Sequence, residues 1–236
     1  MGEVVKEETY AEGARLVSYP IVCGIDEAGR GPIAGPVTAA AVILPPDFPT
    51  EVLDDSKVLS LVQRQEAAEV IRSRSTCWAL GWATHEEIDK INILQATLLA
   101  MTRAIEALAV RPDRILVDGL YCPLCGIPAT AVVKGDATVP QIMAASILAK
   151  NARDAWMEEY AKKEPSYLFE KHKGYPTAEH RRLVLTLGPS AIQRLTFRVT
   201  DPSRSVSVPE LELGITDPRC RRPLFPVPQE RKQGPP

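Results

Sequence analysis

The chain of 236 residues lacks any apolar run of the roughly 18 residues that are needed to cross a bilayer. Its first residues are acidic and have no apolar core, which argues against a secretory signal peptide. Lys6 stands where a myristoylation signal needs serine or threonine. We therefore expect a cytoplasmic protein with no membrane attachment.

The chain has few cysteines, and their number and spacing indicate neither a disulfide framework nor a complete metal site. The five cysteines are an odd number, and without a secretion signal they argue against a disulfide framework. Cys122 and Cys125 have the spacing of zinc ligands, but a structural zinc site needs four ligands and the sequence has no second such pair. We interpret this segment as a loop with two free thiols.

The chain also lacks the basic excess that is typical of nucleic-acid-binding proteins, since its net charge is −2. The charges are unevenly distributed, however. Residues 1–60 hold 4 basic and 10 acidic side chains, whereas residues 150–198 hold 10 basic and 6 acidic ones. This asymmetry fits a carboxylate metal site beside a phosphate-binding surface, and it fits ordinary solvated faces as well.

Short apolar runs mixed with helical patterns predict an α/β domain. The predicted strands are 21–26, 36–44, 76–83, 114–118 and 129–133. Helices are predicted to start at Ser60 and Thr84, where Gln63 and Glu87 complete capping boxes, and at Thr138 and Thr177. The clearest helix spans 92–109, with an apolar stripe that we expect in the core, formed by Leu94, Leu98, Met101, Ile105 and Leu108.

The composition divides the chain into three parts. Residues 1–20 are polar and predict a loosely ordered lead-in, and residues 21–199 carry the predicted catalytic domain. The last 38 residues hold 8 of the 21 prolines and have no periodicity. We expect residues 200–236 to form a disordered, proline-rich tail.

Four acidic residues lie at or just beyond predicted strand ends, close to glycines: Asp26, Glu27, Asp118 and Asp136. Ligand sites of open α/β sheets form at such ends. Because neighbouring residues of a regular strand face opposite sides, Asp26 and Glu27 can share one site only if the strand ends or bulges there. Asp154, by contrast, follows Lys150 by one helical turn, and a structural ion pair explains it.

Carboxylates that converge from separate segments would repel one another strongly without bound cations. Two metal ions about 4 Å apart activate water and stabilise the departing oxygen in phosphodiester hydrolysis. The four acids therefore predict metal-assisted chemistry on a phosphodiester, with a hard cation such as Mg²⁺ as the cofactor.

Six motifs, in this order and spacing, resemble bacterial ribonuclease HII over about residues 20–200. They are the segments 24–32 (GIDEAGRGP), 54–57 (DDSK), 117–119 (VDG), 133–136 (VKGD), 144–150 (AASILAK) and 172–175 (HKGY). The resemblance implies an RNase H-like mixed sheet flanked by helices, with a small C-terminal helical part. It also implies endonucleolytic cleavage of RNA in RNA–DNA hybrids and at single ribonucleotides embedded in DNA, with Mg²⁺ or Mn²⁺ as the cofactor and 5′-phosphates as products.

The resemblance assigns roles to individual residues. Asp26, Glu27, Asp118 and Asp136 would be the catalytic, metal-binding carboxylates. Gly29, Arg30 and Gly31 would form the turn that senses the 2′-hydroxyl, the one group that separates RNA from DNA at a sugar. Tyr175 would pack on the neighbouring deoxyribose, and contacts to the nucleic-acid backbone would come from Lys57, His172 and Lys173.

Several positions depart from the family pattern, namely Cys23, Asn151, Ala152, Gln193 and Leu195, but none of them is a carboxylate. Three alternatives stay open: another two-metal structure-specific nuclease, a catalytically silent nucleic-acid-binding module, and ribonuclease HIII. That last family usually carries an extra N-terminal domain, for which 20 residues leave no room. We expect a monomer, and a replication clamp is an open candidate partner.

Overall fold

The computed structural model describes residues 6–9, 15–18, 20–53 and 59–200. Residues 54–58, and with them Lys57, lie outside these ranges, as do residues 201–236 of the predicted tail. In the part of the chain that is described, no helix is both long enough and apolar enough to cross a membrane.

The strands form two sheets. Strands β1 (Lys6–Thr9) and β2 (Arg15–Ser18) pair antiparallel within the segment that was predicted to be loosely ordered. The main sheet has five strands in the order β5-β4-β3-β6-β7. These are β3 (Val22–Ala28), β4 (Val37–Ile43), β5 (Cys77–Ala83), β6 (Arg114–Asp118) and β7 (Ala129–Val132). Strand β3 pairs antiparallel with β4 and parallel with β6, so the sheet is mixed, as predicted.

The helices are α1 (Leu61–Arg74), α2 (His85–Glu106), α3 (Pro140–Ala161), α4 (Phe169–His172) and α5 (Ala178–Leu187). Both predicted capping boxes are present, at Ser60 and Thr84, and Thr177 caps α5. The predicted cap of α3 is wrong. The cap residue is Val139, without a side-chain bond, and the Thr138 hydroxyl donates to the carbonyl of Lys134 instead.

A kink joins the two helices predicted over residues 84–109 into α2. Asn92 leaves the helical conformation at φ 67°, and its side-chain oxygen accepts from the backbone N–H groups of Leu94 and Gln95. Asn92 therefore caps the second half of α2, because asparagine tolerates a left-handed backbone and offers an acceptor at the same time.

Helix α2 packs on one face of the sheet, and α3 packs on the other with α1 beside it. The predicted apolar stripe of α2 is only partly correct. Met101 and Ile105 are buried, whereas Leu94, Leu98 and Leu108 are only partly buried, and Leu108 lies beyond the end of the helix. In the second half of α2, the residues with no exposed surface are small ones, Ala96, Ala100 and Ala104, because this part of the helix lies almost directly on the backbone of β5.

Gly81 makes this close approach possible. A Cβ added to Gly81 would lie 2.0 Å from the carbonyl oxygen of Ala100 and 2.4 Å from the backbone nitrogen of Ala104. Gly24 serves β3 in the same way, since its added Cβ would lie 2.2 Å from the carbonyl carbon of Gln141 in α3. Each glycine thus sets the distance between the sheet and a helix.

We predict that Gly81→Ala destabilises the protein by about 1–3 kcal/mol, because the backbone of α2 must move to admit the methyl group. Urea denaturation followed by circular dichroism measures the loss. Gly126→Ala is the control, since an added Cβ there meets no atom within 4 Å and only its φ of +67° is unfavourable. Equal destabilisation by both substitutions would contradict the packing argument.

Candidate metal centre and nucleic-acid site

Three of the four predicted carboxylates converge at one edge of the main sheet. Asp26, Asp118 and Asp136 each offer a carboxylate oxygen, and these oxygens lie within 4.8 Å of one another. The backbone N–H of Asp136 also donates to Oδ1 of Asp118 at 3.3 Å.

The strand register explains this convergence. Ile25 pairs with Val117 in the parallel β3–β6 ladder, and Asp26 and Asp118 are the next residues of the two strands. Ile25 and Val117 both belong to the core on the α2 face, so the two aspartates point to the α3 face. Asp136 follows β7 in a 3₁₀ turn, Gly135–Ala137, where Gly135 lies against the Ile142 side chain of α3.

Burial and mutual repulsion dominate the electrostatics of this cluster. Asp26 is only 5% exposed. Burial raises the pKa of Asp26 well above its ordinary value, the charges of Glu27 and Asp118 raise it further, and a hydrogen bond from Ser146 opposes them. The folded chain therefore pays a cost for ionising Asp26 that a bound cation would remove.

Glu27 takes a different position from the one we expected. Strand β3 neither ends nor bulges at this residue, because Glu27 pairs in register with Ala39 and the strand continues to Ala28. The expectation of a strand end is therefore wrong, and Glu27 faces away from Asp26. Its Oε1 lies 3.4 Å from Nη1 of Arg30. Burial raises the pKa of Glu27 and Arg30 lowers it, while Asp118 adds a smaller repulsion. Glu27 as a metal ligand stays a prediction.

The donor set of the three aspartates fits a hard divalent cation. Oxygen ligands are what Mg²⁺ and Mn²⁺ take in proteins. The three carboxylates come from three separate segments and are held by the sheet and α3, so a cation would meet ligands that are already in place. Asp26, Asp118 and Asp136 would hold it.

The predicted Gly29–Gly31 turn lies beside Tyr175. Gly29 has φ +100°, and a Cβ added there would lie 2.1 Å from Nε of Arg153. A Cβ added to Gly31 would lie 3.8 Å from Cε1 of Tyr175. Tyr175 is 38% exposed, and Nζ of Lys150 lies 5.3 Å from the centroid of its ring. The structure therefore brings together the two elements for which a contact to the sugar was predicted.

His172 does not fit its predicted phosphate contact. It is only 7% exposed and stacks on His180 with 4.2 Å between ring centroids. Its Nε2 lies 2.8 Å from the carbonyl oxygen of Tyr167, and its Nδ1 accepts from the backbone N–H of Gly174. Both ring nitrogens therefore serve the local fold. Burial also lowers the pKa of His172, which disfavours the charged form that would attract a phosphate.

Lys173 and Asp154 are paired with other side chains. Nζ of Lys173 lies 2.8 Å from Oε1 of Glu158, which neutralises the charge predicted to face nucleic acid. Asp154 pairs with Lys150 at 2.7 Å, as predicted, and also with Arg64 at 3.3 Å. A contact of Lys173 to the backbone of a substrate stays a prediction.

Two buried arginines were missed by the sequence analysis. Arg153 and Arg194 are both 0% exposed, and their guanidinium groups donate to backbone carbonyls around the Gly29–Gly31 turn. Burial lowers the pKa of Arg153 to about 10, and burial together with the Arg153 charge lowers the pKa of Arg194 to about 9, so both stay charged at neutral pH. Arginine is normally exposed, so a sequence pattern gives no reason to expect a buried one at either position.

This combination of features defines a class of protein. A mixed RNase H-like sheet with helices on both faces carries convergent aspartates on its neighbouring strands β3 and β6 and in the turn after β7. Such a site binds divalent metal and belongs to the metal-dependent nucleases of this fold.

Comparisons with known proteins narrow the class to one family. The family model for ribonuclease HII matches residues 23–200. The chain is 54% identical to the ribonuclease HII of Dechloromonas aromatica, over 77% of this chain and 93% of that protein. It is 56% identical to the ribonuclease HII of Laribacter hongkongensis, over 75% of this chain and 90% of that protein.

A solved structure shares the fold. Ribonuclease HII of Archaeoglobus fulgidus, in a complex with PCNA, matches with a TM-score of 0.64 and 26% identity, over 75% of this chain and 95% of that one. The chain belongs to the ribonuclease HII family, whose members are metal-dependent endonucleases.

We predict that Asp26→Asn stabilises the metal-free protein by about 1–2 kcal/mol at neutral pH, because it removes one charge from a buried, mutually repelling group. The same change should abolish the rise in Tm that Mn²⁺ gives the wild type. Thermal denaturation in EDTA and in Mn²⁺ measures both effects.

Glu69→Gln is the matched control, since Glu69 is an exposed carboxylate of α1 that pairs with Arg72. It should leave both Tm values unchanged. An Asp26→Asn variant that is less stable than the wild type in EDTA, or equally stabilised by Mn²⁺, would contradict the account of the site.

Proposed function

We propose that this enzyme hydrolyses the RNA strand of RNA–DNA hybrids and cuts duplex DNA at single embedded ribonucleotides, leaving 5′-phosphates. The observation that carries the proposal is that Asp26 of the three-aspartate cluster lies three residues before a glycine turn, and that this turn lies against Tyr175. The candidate reaction centre and the candidate sugar-recognition turn are thereby joined through β3.

The aspartates supply the reaction centre. Bound divalent ions would activate a water molecule and stabilise the departing oxygen, and Asp26, Asp118 and Asp136 would hold those ions. Because Asp26 is buried and Asp118 is partly buried, the ions would act in an environment with little water, where charges interact strongly. Glu27 is the remaining candidate ligand, provided that it turns away from Arg30.

The turn and the tyrosine supply selectivity for the sugar. A 2′-hydroxyl is both a donor and an acceptor, and it is what distinguishes RNA from DNA at a single position. Backbone groups of Gly29, Arg30 and Gly31 would contact this hydroxyl, because glycines let a ligand approach the chain closely. The exposed ring of Tyr175 would pack on the next sugar, where a second hydroxyl would collide with it.

The cation-rich surroundings of Tyr175 support contacts to phosphates. Lys150 and Arg153 both lie close to its ring, with Nζ of Lys150 and the guanidinium carbon of Arg153 at 5.3 and 5.8 Å from the centroid. Lys150 is the candidate for a direct contact, because Arg153 is buried and adds only its charge. Phosphate contacts fix the register of a duplex without reading its sequence. Lys57 and Lys173 are proposed as further contacts.

The setting of the enzyme follows from its substrate. We propose that it acts in the cytoplasm, where its nucleic acids are, and that it acts as a monomer. The relative from A. fulgidus was solved with PCNA. A replication clamp is accordingly our hypothesis for a partner of residues 200–236.

We predict that the enzyme cuts a duplex with one embedded ribonucleotide in Mg²⁺ or Mn²⁺ and leaves the all-DNA duplex intact. Asp118→Asn should lower turnover by roughly 1,000-fold or more while hybrid binding and the fold persist, because it removes a ligand charge from the reaction centre. Gel electrophoresis of end-labelled strands maps the cut and measures the rate.

Asp113→Asn is the matched control. Asp113 is exposed, lies at the opposite end of β6 from Asp118, and accepts from the backbone N–H of Ile21. Its substitution should leave turnover unchanged. Wild-type turnover in Asp118→Asn would refute the proposal, and equal cutting of both duplexes would favour a nuclease that does not recognise the ribose.

A further inference from the structure

We infer that Arg194 is a positioning residue that fixes the Gly29–Gly31 turn and thereby sets the preference of the enzyme for a ribonucleotide. The inference rests on the proposed function, and it assigns to Arg194 no contact with the substrate. It depends on the way one buried guanidinium group holds a whole segment of backbone.

The guanidinium group of Arg194 uses its donors on a single segment, residues 29–36. Nη2 donates to the carbonyl of Gly29 at 2.7 Å, and Nη1 donates to that of Pro32 at 2.7 Å. Three somewhat longer hydrogen bonds complete the set. Nη1 donates to the carbonyl of Arg30 at 3.2 Å, Nε to that of Gly35 at 2.9 Å, and Nη2 to that of Pro36 at 3.1 Å. Five backbone carbonyls therefore point inward at one cation.

This arrangement determines where the N–H groups of the turn point. All peptide bonds of the described segments are trans, so a carbonyl directed at Arg194 directs the next residue's N–H the opposite way. The inward carbonyls of Gly29 and Arg30 consequently turn the N–H groups of Arg30 and Gly31 outward. Those are the backbone donors that the proposed function places at the 2′-hydroxyl.

The cation is held in place by these carbonyls rather than by a carboxylate. Within residues 20–53 and 59–200, no carboxylate lies at ion-pair distance from the Arg194 guanidinium. A buried charge is tolerated only when its donors are satisfied, so each carbonyl that turns away leaves a donor unsatisfied. The conformation of the turn and the burial of Arg194 thus depend on each other.

The segment that carries Arg194 is itself anchored. The backbone N–H of Arg194 donates to the carbonyl of Ile33 at 2.9 Å. Asp89 of α2 accepts from the backbone N–H groups of Leu195 and Thr196 and from the Thr196 hydroxyl, at 2.9, 3.0 and 2.6 Å. The Phe197 ring lies 5.1 Å from the guanidinium carbon. Helix α2 therefore fixes Arg194, and Arg194 fixes the turn.

Arg153 links the same segment to the Tyr175 side. It donates to the carbonyls of Pro36 and Ala34 at 3.0 and 3.2 Å, and to that of Lys173 at 3.0 Å. The absence of a side chain at Gly29 leaves the space that Arg153 fills. The two arginines hold the turn and Tyr175 as one unit.

Arg194→Lys tests the inference, because lysine keeps the positive charge but has three donors on one nitrogen and cannot span five carbonyls. Binding is measured by fluorescence anisotropy in the Asp118→Asn background, with a duplex containing one ribonucleotide and with the matching all-DNA duplex. We expect the preference for the ribonucleotide duplex to fall by about tenfold or more, the effect of losing a well-placed hydrogen bond. Affinity for the all-DNA duplex, and affinity for Mn²⁺ measured with Asp118 intact, should stay within about twofold, since Arg194→Lys leaves the phosphate contacts and the carboxylates unaffected.

Arg103→Lys is the matched control. Arg103 is an arginine of α2 that donates to Glu87 and to the carbonyl of Trp82, and it has no hydrogen bond to residues 29–36. It should keep the full preference. If Arg194→Lys does not fold, Thr196→Val carries the test, because it removes only the hydroxyl bond to Asp89 and should reduce the preference in the same direction by a smaller factor.

The outcomes separate this inference from the function on which it rests. An Arg194→Lys variant, or a Thr196→Val variant in its place, with the full preference of the wild type overturns the positioning role and leaves the proposed function intact. A wild type that binds both duplexes equally and does not cut at the ribonucleotide overturns both.

Discussion

Repulsion among three aspartates is the constraint on which the rest of this site depends. Asp26, Asp118 and Asp136 each have a carboxylate oxygen within 4.8 Å of those of the other two, although burial already disfavours the charge of Asp26. The parallel register of β3 and β6, together with a turn packed on α3, supplies the rigidity that this requires. The free-energy cost of bringing these charges together is retained in the fold, and the result is a preformed site for divalent cations.

Beside the anionic cluster lies a cationic scaffold that binds backbone instead of carboxylates. Arg194 and Arg153 together donate to carbonyls of residues 29–36 and of Lys173. The three aspartates are thereby placed next to a turn of fixed shape. The proposed chemistry and the proposed recognition of the sugar fall to two neighbouring groups of residues.

The structural features that depend on residues close in the chain were predicted correctly from the sequence, and those that depend on distant partners were not. The strands, both capping boxes and the Lys150–Asp154 pair follow from patterns within a few residues, and the structure has them all. The orientation of Glu27 depends on the continuation of the β3–β4 ladder, and the burial of His172 depends on its stacking with His180. Arg194 contacts carbonyls about 160 positions away, which no spacing rule could reveal.

The most direct test of the central claim is anomalous diffraction from a crystal of the enzyme grown with Mn²⁺. The account predicts anomalous density between the carboxylates of Asp26, Asp118 and Asp136, at distances of about 2.0–2.3 Å from their oxygens, as hard cations require. Three aspartates that lie apart, or Mn²⁺ bound only elsewhere on the protein, would contradict it.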